Sequence, residues 1–213
     1  MRVDTLCVGE IQENCYIVSS DATHNAILID PGDDCPKIKA FLQKKKLTAK
    51  IIAHTHGHID HIQADNEFNL PVYVHALDVE LLKNPDKNLS SFLSHPFKVD
   101  GQIKPVQDSD TIILDEIILK VLFTPGHTPG GICFACDAIV FTGDTLFAGS
   151  VGRTDFPGAS HEQLIKSIRE KLLVLPDATI IYPGHGPHST IGKERKANPF
   201  LTHSEGGSCG VSR

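Results

Sequence analysis

The stretch KIIAHTHGHIDH, residues 50–61, constrains this chain more than any other. A short apolar run ends, and four histidines and one aspartate follow within eight residues. The arrangement recurs downstream. Pro125-Gly126-His127-Thr128, Thr142-Gly143-Asp144-Thr145, Gly152-Arg153-Thr154-Asp155 and Pro183-Gly184-His185-Gly186 also sit after apolar runs. Loops at strand ends are where a rigid scaffold presents functional groups. The flanking glycines and prolines suit tight turns close to a ligand.

Between these loops the chain alternates strand and helix signals. TLCV, NCYIV and NAILID read as short strands, the last running into the turn Pro31-Gly32. DDCPKIKAFLQKKK predicts a helix with Pro36 near its start and Ile38, Phe41 and Leu42 on one face. AKIIA and LPVYVH read as strands, and HIQADNEF and ALDVELLKN as helices. The polar stretch Pro85–Asp108 reads as one long loop, of the kind that often serves as a lid. TIIL, IILKVLF, ICFAC and AIVFTG resume the strands. SHEQLIKSIREKLLVL predicts a helix opened by a Ser160–Gln163 capping box and striped by Leu164, Ile168, Leu172 and Leu175. ATIIYPGHG gives a last strand, and GKERKANPF a last helical turn or two. Blocks of consecutive strands at the beginning and in the middle argue against a doubly wound parallel sheet. They fit two mixed sheets covered by helices. One domain over residues 1–201 is expected, with a disordered Gly/Ser-rich tail over 202–213.

Composition excludes several classes. The chain has 213 residues and a formal charge of −6, with no basic stripe for nucleic acid. Lys44–Lys46 reads as a solvated helix end. No apolar run spans a bilayer and no leader is read at the start, so a cytoplasmic protein without a membrane partner is expected. The six cysteines read as thiols rather than a disulfide framework. Cys133-Phe-Ala-Cys136 lacks the second pair that a zinc site needs, and reads as two buried thiols in a strand. Cys209 reads as an exposed thiol in the tail.

His56, His58, Asp60, His61, His127, Asp144 and His185 amount to five imidazoles and two carboxylates. Such a set suits zinc, iron or manganese. It is too many for one tetrahedral ion. With one carboxylate bridging, it suits two neighbouring ions and a hydroxide between them, the logic of two-metal hydrolytic sites.

THGHIDH, PGHT, TGDT and PGHG, in this order, resemble the metallo-β-lactamase superfamily, from the first strands to about Leu201. LFAGSVGRTDFPG, followed by a helix and PGHGPHSTIGKERKANPF, resembles its small glyoxalase II-like bacterial members. The resemblance implies an α/β fold, a four-layer αββα sandwich of two mixed β-sheets flanked by helices, with the site at one edge of both sheets. It also implies that His56, His58 and His127 hold a first divalent ion and that Asp60, His61 and His185 hold a second. Asp144 would bridge them. Zinc is the first expectation, with iron or manganese as alternatives. A cysteine is common at the second metal of true β-lactamases, and the aspartate at 144 points to ester or thioester chemistry instead.

The expected activity is hydrolysis of a small-molecule thioester, S-D-lactoylglutathione or a related hydroxyacylglutathione, with Asp60 orienting the nucleophile and Asp144 bridging. The leaving thiol, with a pKa of about 8.5, needs no strong general acid. Arg153 has two readings: a substrate-carboxylate ligand, or a structural partner of Asp155. His54 and His188 are either supports of the metal ligands or structural histidines. The chain reads as lacking the C-terminal helical domain of larger glyoxalase II enzymes, so a different thioester is also open. A persulfide dioxygenase with one ferrous ion on His56, His127 and Asp144 is the alternative from another reaction class. A metal-binding module without catalysis is a third. The sequence assigns no oligomeric state.

Overall fold

The computed structural model describes residues 1–202. Strands β1 (Arg2–Val8), β2 (Glu13–Ser19) and β3 (Asn25–Ile29) run antiparallel. Strands β4 (Thr48–Ala53), β5 (Val72–His75) and β6 (Ile103–Val106) continue that sheet in parallel. The second sheet is an antiparallel run of β7 (Thr111–Leu114), β8 (Ile117–Phe123), β9 (Ile132–Cys136) and β10 (Ile139–Gly143). After β10 comes a two-strand ribbon, β11 (Leu146–Phe147) with β12 (Ser150–Val151). The second sheet then adds β13 (Ile180–Pro183), parallel to β10, and β14 (Ser189–Thr190) at its edge. Both sheets are mixed, as expected.

Alternation along the strands divides the core into three layers of side chains. On the outer face of the first sheet, Cys15, Ile17, Leu28 and Ile52 pack on Ile38 and Leu42 of α1 (Cys35–Lys45). Between the sheets, Tyr16, Val18, Ile27, Ile29 and Ala53 meet Leu119, Val121, Phe134 and Phe141. On the outer face of the second sheet, Cys133, Val140 and Ile181 meet Leu164 and the turns that follow it, together with Ile191 and Leu201. Three cores between four layers make the αββα sandwich. Strand β2 is buried along its whole length because both of its faces are covered. Each fully buried Ile or Leu contributes roughly 1.5–3 kcal/mol.

Several local expectations change. HIQADNEF yields only α2 (Ile59–Ile62) and a 3₁₀ turn at Asp65–Glu67. The Ala64 N–H leaves the helix to bond the Pro31 carbonyl at 3.1 Å. ALDVELLKN likewise forms a 3₁₀ turn and the short α3 (Val79–Lys83). The supposed loop from Pro85 to Asp108 contains β6. Pro105 disguised it, but β6 is the edge of its sheet, where a missing N–H is tolerated. Ser160 Oγ accepts from the Gln163 N–H and caps α4 (His161–Ser167), but the capping box stays half made. The Ser160 N–H donates to the Gly126 carbonyl at 2.8 Å and ties the helix to the His127 loop. The helix continues as a wider π-type turn over Ile168–Leu172. GKERKANPF supplies most of α5 (Ile191–Ala197) and the start of α6 (Pro199–Thr202). The expected disordered tail falls, beyond Thr202, outside the described residues, as does Cys209. No helix among the described residues is long and apolar enough to cross a membrane.

Cys133 and Cys136 are both buried thiols, and they belong to different layers: Cys133 packs under α4, Cys136 between the sheets. An i, i+3 pair on a strand points to opposite faces, so the two sulfurs cannot pair.

Candidate metal centre

All seven ligand-type residues named from the sequence meet at one edge of the sandwich. His56 and His58 lie in the loop after β4. Asp60 and His61 lie on α2. His127, Asp144 and His185 follow β8, β10 and β13. Because β10 and β13 are parallel neighbours, Asp144 and His185 emerge at the same end. The turn at 184 must be glycine: a Cβ there would overlap Asp144 Oδ1.

The first group is three imidazoles. The rings of His56, His58 and His127 stand 4.7–4.8 Å apart, at mutual angles of 83–89°. One nitrogen from each lies within 4.8 Å of the others. His127 Nδ1 bonds the Arg153 carbonyl at 2.7 Å, which leaves a lone pair on Nε2 pointing at the group. Burial, then the charge of His61, holds His56 well below the ordinary histidine range. Burial, then His127, pushes His58 down to about 3. Neutral imidazole is the ligand form.

The second group is Asp60, His61 and His185. His185 Nε2 lies 3.2 Å from Asp60 Oδ2, and His61 Nε2 lies 3.5 Å from both Asp60 Oδ2 and Asp144 Oδ1. Burial lowers the His61 pKa, but the carboxylates of Asp60 and Asp30 outweigh it and hold His61 well above the ordinary value. Asp144 stands between the groups. Its Oδ1 faces His61 and His185 at 3.5 and 3.8 Å, and its Oδ2 faces His127 at 3.7 Å.

Buried polar atoms rarely go unpaired. Here His56 Nε2, His61 Nε2 and Asp144 Oδ1 are buried without a hydrogen-bond partner in the protein. Convergent nitrogen and carboxylate lone pairs fit divalent cations of the zinc, iron and manganese type.

Four acids that the sequence reading passed over support these groups. Asp30 accepts from the Thr55 N–H at 2.9 Å and the Thr55 hydroxyl at 2.7 Å, and lies 3.1 Å from His61 Nδ1. It holds φ at +50° to do so, an uncommon conformation outside glycine. His54, buried behind the site, lies between Asp65 at 2.7 Å and Asp30 at 3.4 Å, so it supports the centre through Asp30 rather than joining it. Asp78 accepts from the Gly57 N–H, the Thr128 hydroxyl and the Gly130 N–H at 3.2, 2.7 and 2.7 Å, and so clamps the His56–His58 loop to the His127 loop. Glu13 is buried 3.8 Å from His61 Nδ1 with both oxygens unpaired. Burial, opposed by His61, pushes its carboxyl well above the usual range. Asp30 alone carried a readable signal, an acid at a strand end before Pro-Gly.

Two of the named residues stand apart. His188 packs on Tyr182, with ring centroids 4.2 Å apart, outside the two ligand groups. The Arg153 side chain, 69% exposed, pairs with Asp155. Two cavities flank the centre. One of about 330 Å³ reaches Asp60 and is lined by Glu10, Ile11, Asp33 and Leu93. The other, about 360 Å³, reaches His58 and is lined by Leu77, Leu81, Leu89, Pro129 and Phe156.

Known proteins share this architecture. Over 94% of this chain, the hydroxyacylglutathione hydrolase GloC of Haemophilus influenzae is 36% identical across 98% of its own length. The probable metallo-hydrolase YqgX of Bacillus subtilis is 38% identical with the same coverage. An uncharacterized Mycobacterium tuberculosis protein is 39% identical, also over 94% of this chain and 98% of its own. Among solved structures, the BLEG-1 B3 metallo-beta-lactamase superposes with a TM-score of 0.89 at 36% identity, covering 95% of this chain and all of its own. TTHA1623, crystallised in a di-iron-bound form, gives 0.83 at 38% identity over 93% of this chain and 100% of its own. ETHE1 from Myxococcus xanthus gives 0.81 at 28% identity over 96% and 86%. The family model for the metallo-beta-lactamase superfamily matches residues 8–185, a span that takes in all seven clustered side chains, and the chain belongs to that superfamily.

Proposed function

We propose that this chain is a metal-dependent hydrolase of thioesters, with His56, His58 and His127 holding one divalent ion and Asp60, His61 and His185 holding a second. The observation that carries this reading is Asp144, whose two oxygens face the two groups separately. Ions held there would supply Lewis acidity toward the acyl carbonyl and a water acidified to near-neutral pKa. The GloC relative supports an acyl-glutathione as the first substrate to test, and the di-iron-bound relative supports iron beside zinc as a candidate metal.

The chain's own residues do the rest. The bond from His127 to the Arg153 carbonyl fixes its tautomer. Asp60 has a side chain 21% exposed at the mouth of a cavity, placed to orient a water whose proton ends on the departing sulfur. Water oxygen adds to the acyl carbon, the carbon–sulfur bond breaks with its electron pair on sulfur, and acid and thiol leave. A thiolate needs little help to depart.

The test pairs metal content with two assays. Two metal ions per chain and hydrolysis of S-D-lactoylglutathione are expected. One iron per chain with oxygen uptake on glutathione persulfide, and no thioester cleavage, would replace the reading with the dioxygenase. Cleavage of a β-lactam in preference to thioesters would overturn it as well.

A further inference from the structure

The ribbon of β11 and β12 joins two parts of the metal centre. Asp144 stands two residues before it. Arg153, whose carbonyl accepts from His127 Nδ1 at 2.7 Å, stands two residues after it. Each strand of the ribbon has only two residues, and a hairpin that short does not hold its own shape. Its base is tied down: the Thr142 hydroxyl donates to the Leu146 carbonyl at 2.8 Å, and Leu146 and Val151 pack into the outer core. Its tip is the turn Ala148-Gly149, with Gly149 at φ +73°. The Gly149 N–H finds its partner outside the ribbon, donating to Glu194 Oε2 of α5 at 2.7 Å. Glu194 is 1% exposed, and its carboxyl also accepts from the Ser189 hydroxyl and, at 2.9 Å, from Asn198 Nδ2. Asn198, buried one helical turn further on, donates from the same nitrogen to the Ser150 carbonyl at 3.0 Å. Between them on α5, Arg195 donates to the Leu173 and Leu175 carbonyls and anchors the helix to the chain after α4. Burying a carboxyl is unfavourable unless its oxygens are hydrogen-bonded. Here those bonds reach the ribbon tip.

We infer that Glu194, together with Asn198, is a positioning residue for the metal centre. Helix α5 grips the ribbon tip and so fixes Asp144 at one end of the ribbon. At the other end it fixes the Arg153 carbonyl, and with it the His127 ring. This rests on the two-ion part of the functional reading and not on the thioester.

The experiment measures cobalt(II) affinity by competitive chelator titration, beside a histidine nitrogen NMR spectrum of the metal-free protein. Glu194→Ala should weaken the tighter site about tenfold, the low end of what a supporting partner contributes. In the metal-free spectrum the Nδ1–H tautomer of His127 should lose population. Glu194→Gln, whose amide oxygen still accepts the Gly149 N–H, should restore both. Ile38→Val, on the other leaf, should lower the thermal midpoint and leave both readouts unchanged. Unchanged affinity in folded Glu194→Ala overturns the inference. So does an equal loss in Ile38→Val, which would make Glu194 a brace for stability alone. If Glu194→Ala does not fold, Asn198→Ala decides by the same two readouts. A wild type that binds two cobalt ions but cleaves no thioester would end the thioesterase reading and leave this comparison standing. A wild type that binds no cobalt would end the two-ion reading. The His127 tautomer then decides, and an unchanged signal in Glu194→Ala overturns the inference.

Discussion

Three imidazoles at right angles, each of them 2–6% exposed, form one half of the metal centre. The other half, Asp60 with His61 and His185, has side chains up to 26% exposed and is crowded by carboxylates. In the first half burial pulls the His56 and His58 pKa values down, and neighbours preset the geometry: Asp78 clamps its loops, and the Arg153 carbonyl turns one ring. The second half is set by charge. Its acids raise the His61 pKa well above the ordinary value against burial, and would exert the same pull on a metal cation. Rigid geometry and electrostatic demand are two routes to a binding site, and one carboxylate, Asp144, belongs to both. The contrast predicts that the triad retains metal with little help, whereas the second group depends on its acids.

The largest effect should come from removing what the halves share. Asp144→Ala should lower activity more than about 100-fold, beyond the 10–100-fold usual for a supporting partner, with metal content by elemental analysis falling in both halves. A variant that keeps two ions would break the comparison. His185→Ala should remove one half, taking metal content from two ions per chain to one. Loss of both would mean that the triad does not stand alone. Asp78→Ala should weaken the triad without touching the second group, by roughly 10–100-fold in the metal affinity of the tighter site. Equal weakening of both sites in a competitive chelator titration would place Asp78 outside the clamp role.

The smallest effect concerns stability. Burial lowers the His54 pKa, but Asp65 and then Asp30 outweigh it and push it up to about 9, from an ordinary 6.5. A raised value of this kind contributes stability in full below about pH 6.5, and that stability is lost as pH rises through about 9. The chelator-treated protein should lose roughly 5 °C of thermal midpoint across that window. His54→Gln should start lower and show a flatter profile. A wild-type midpoint that holds steady to pH 10 would remove the charged pair from behind the centre.

The ligands were legible because each stands at a strand end beside glycine or proline, and the layers because β2, β3 and β4 alternate or are buried on both faces. The supports were not, because their partners are distant in sequence. Asp78 meets Thr128 across 50 residues, and Asp30 meets Thr55 across 25. Neither spacing is periodic, and Asp65 and Glu13 sit among ordinary polar residues. Strand β6 hid behind Pro105, since pattern alone does not say which strand will be an edge. Asp155 was visible as an alternative partner of Arg153, and the structure realises that pairing.

The origin of the seven side chains has a mechanical consequence. Four come from the first sheet and its α2, and three from the second, so contacts such as His58 to His127 and Asp60 to His185 span 69 and 125 residues. Ions held there would rivet the two leaves of the sandwich at one rim, closing long loops that the unfolded chain leaves open. Cofactor loading would then act as a fastener as well as a source of reactivity, and once the ions leave, the sandwich would begin to open at the rim where the chemistry is done.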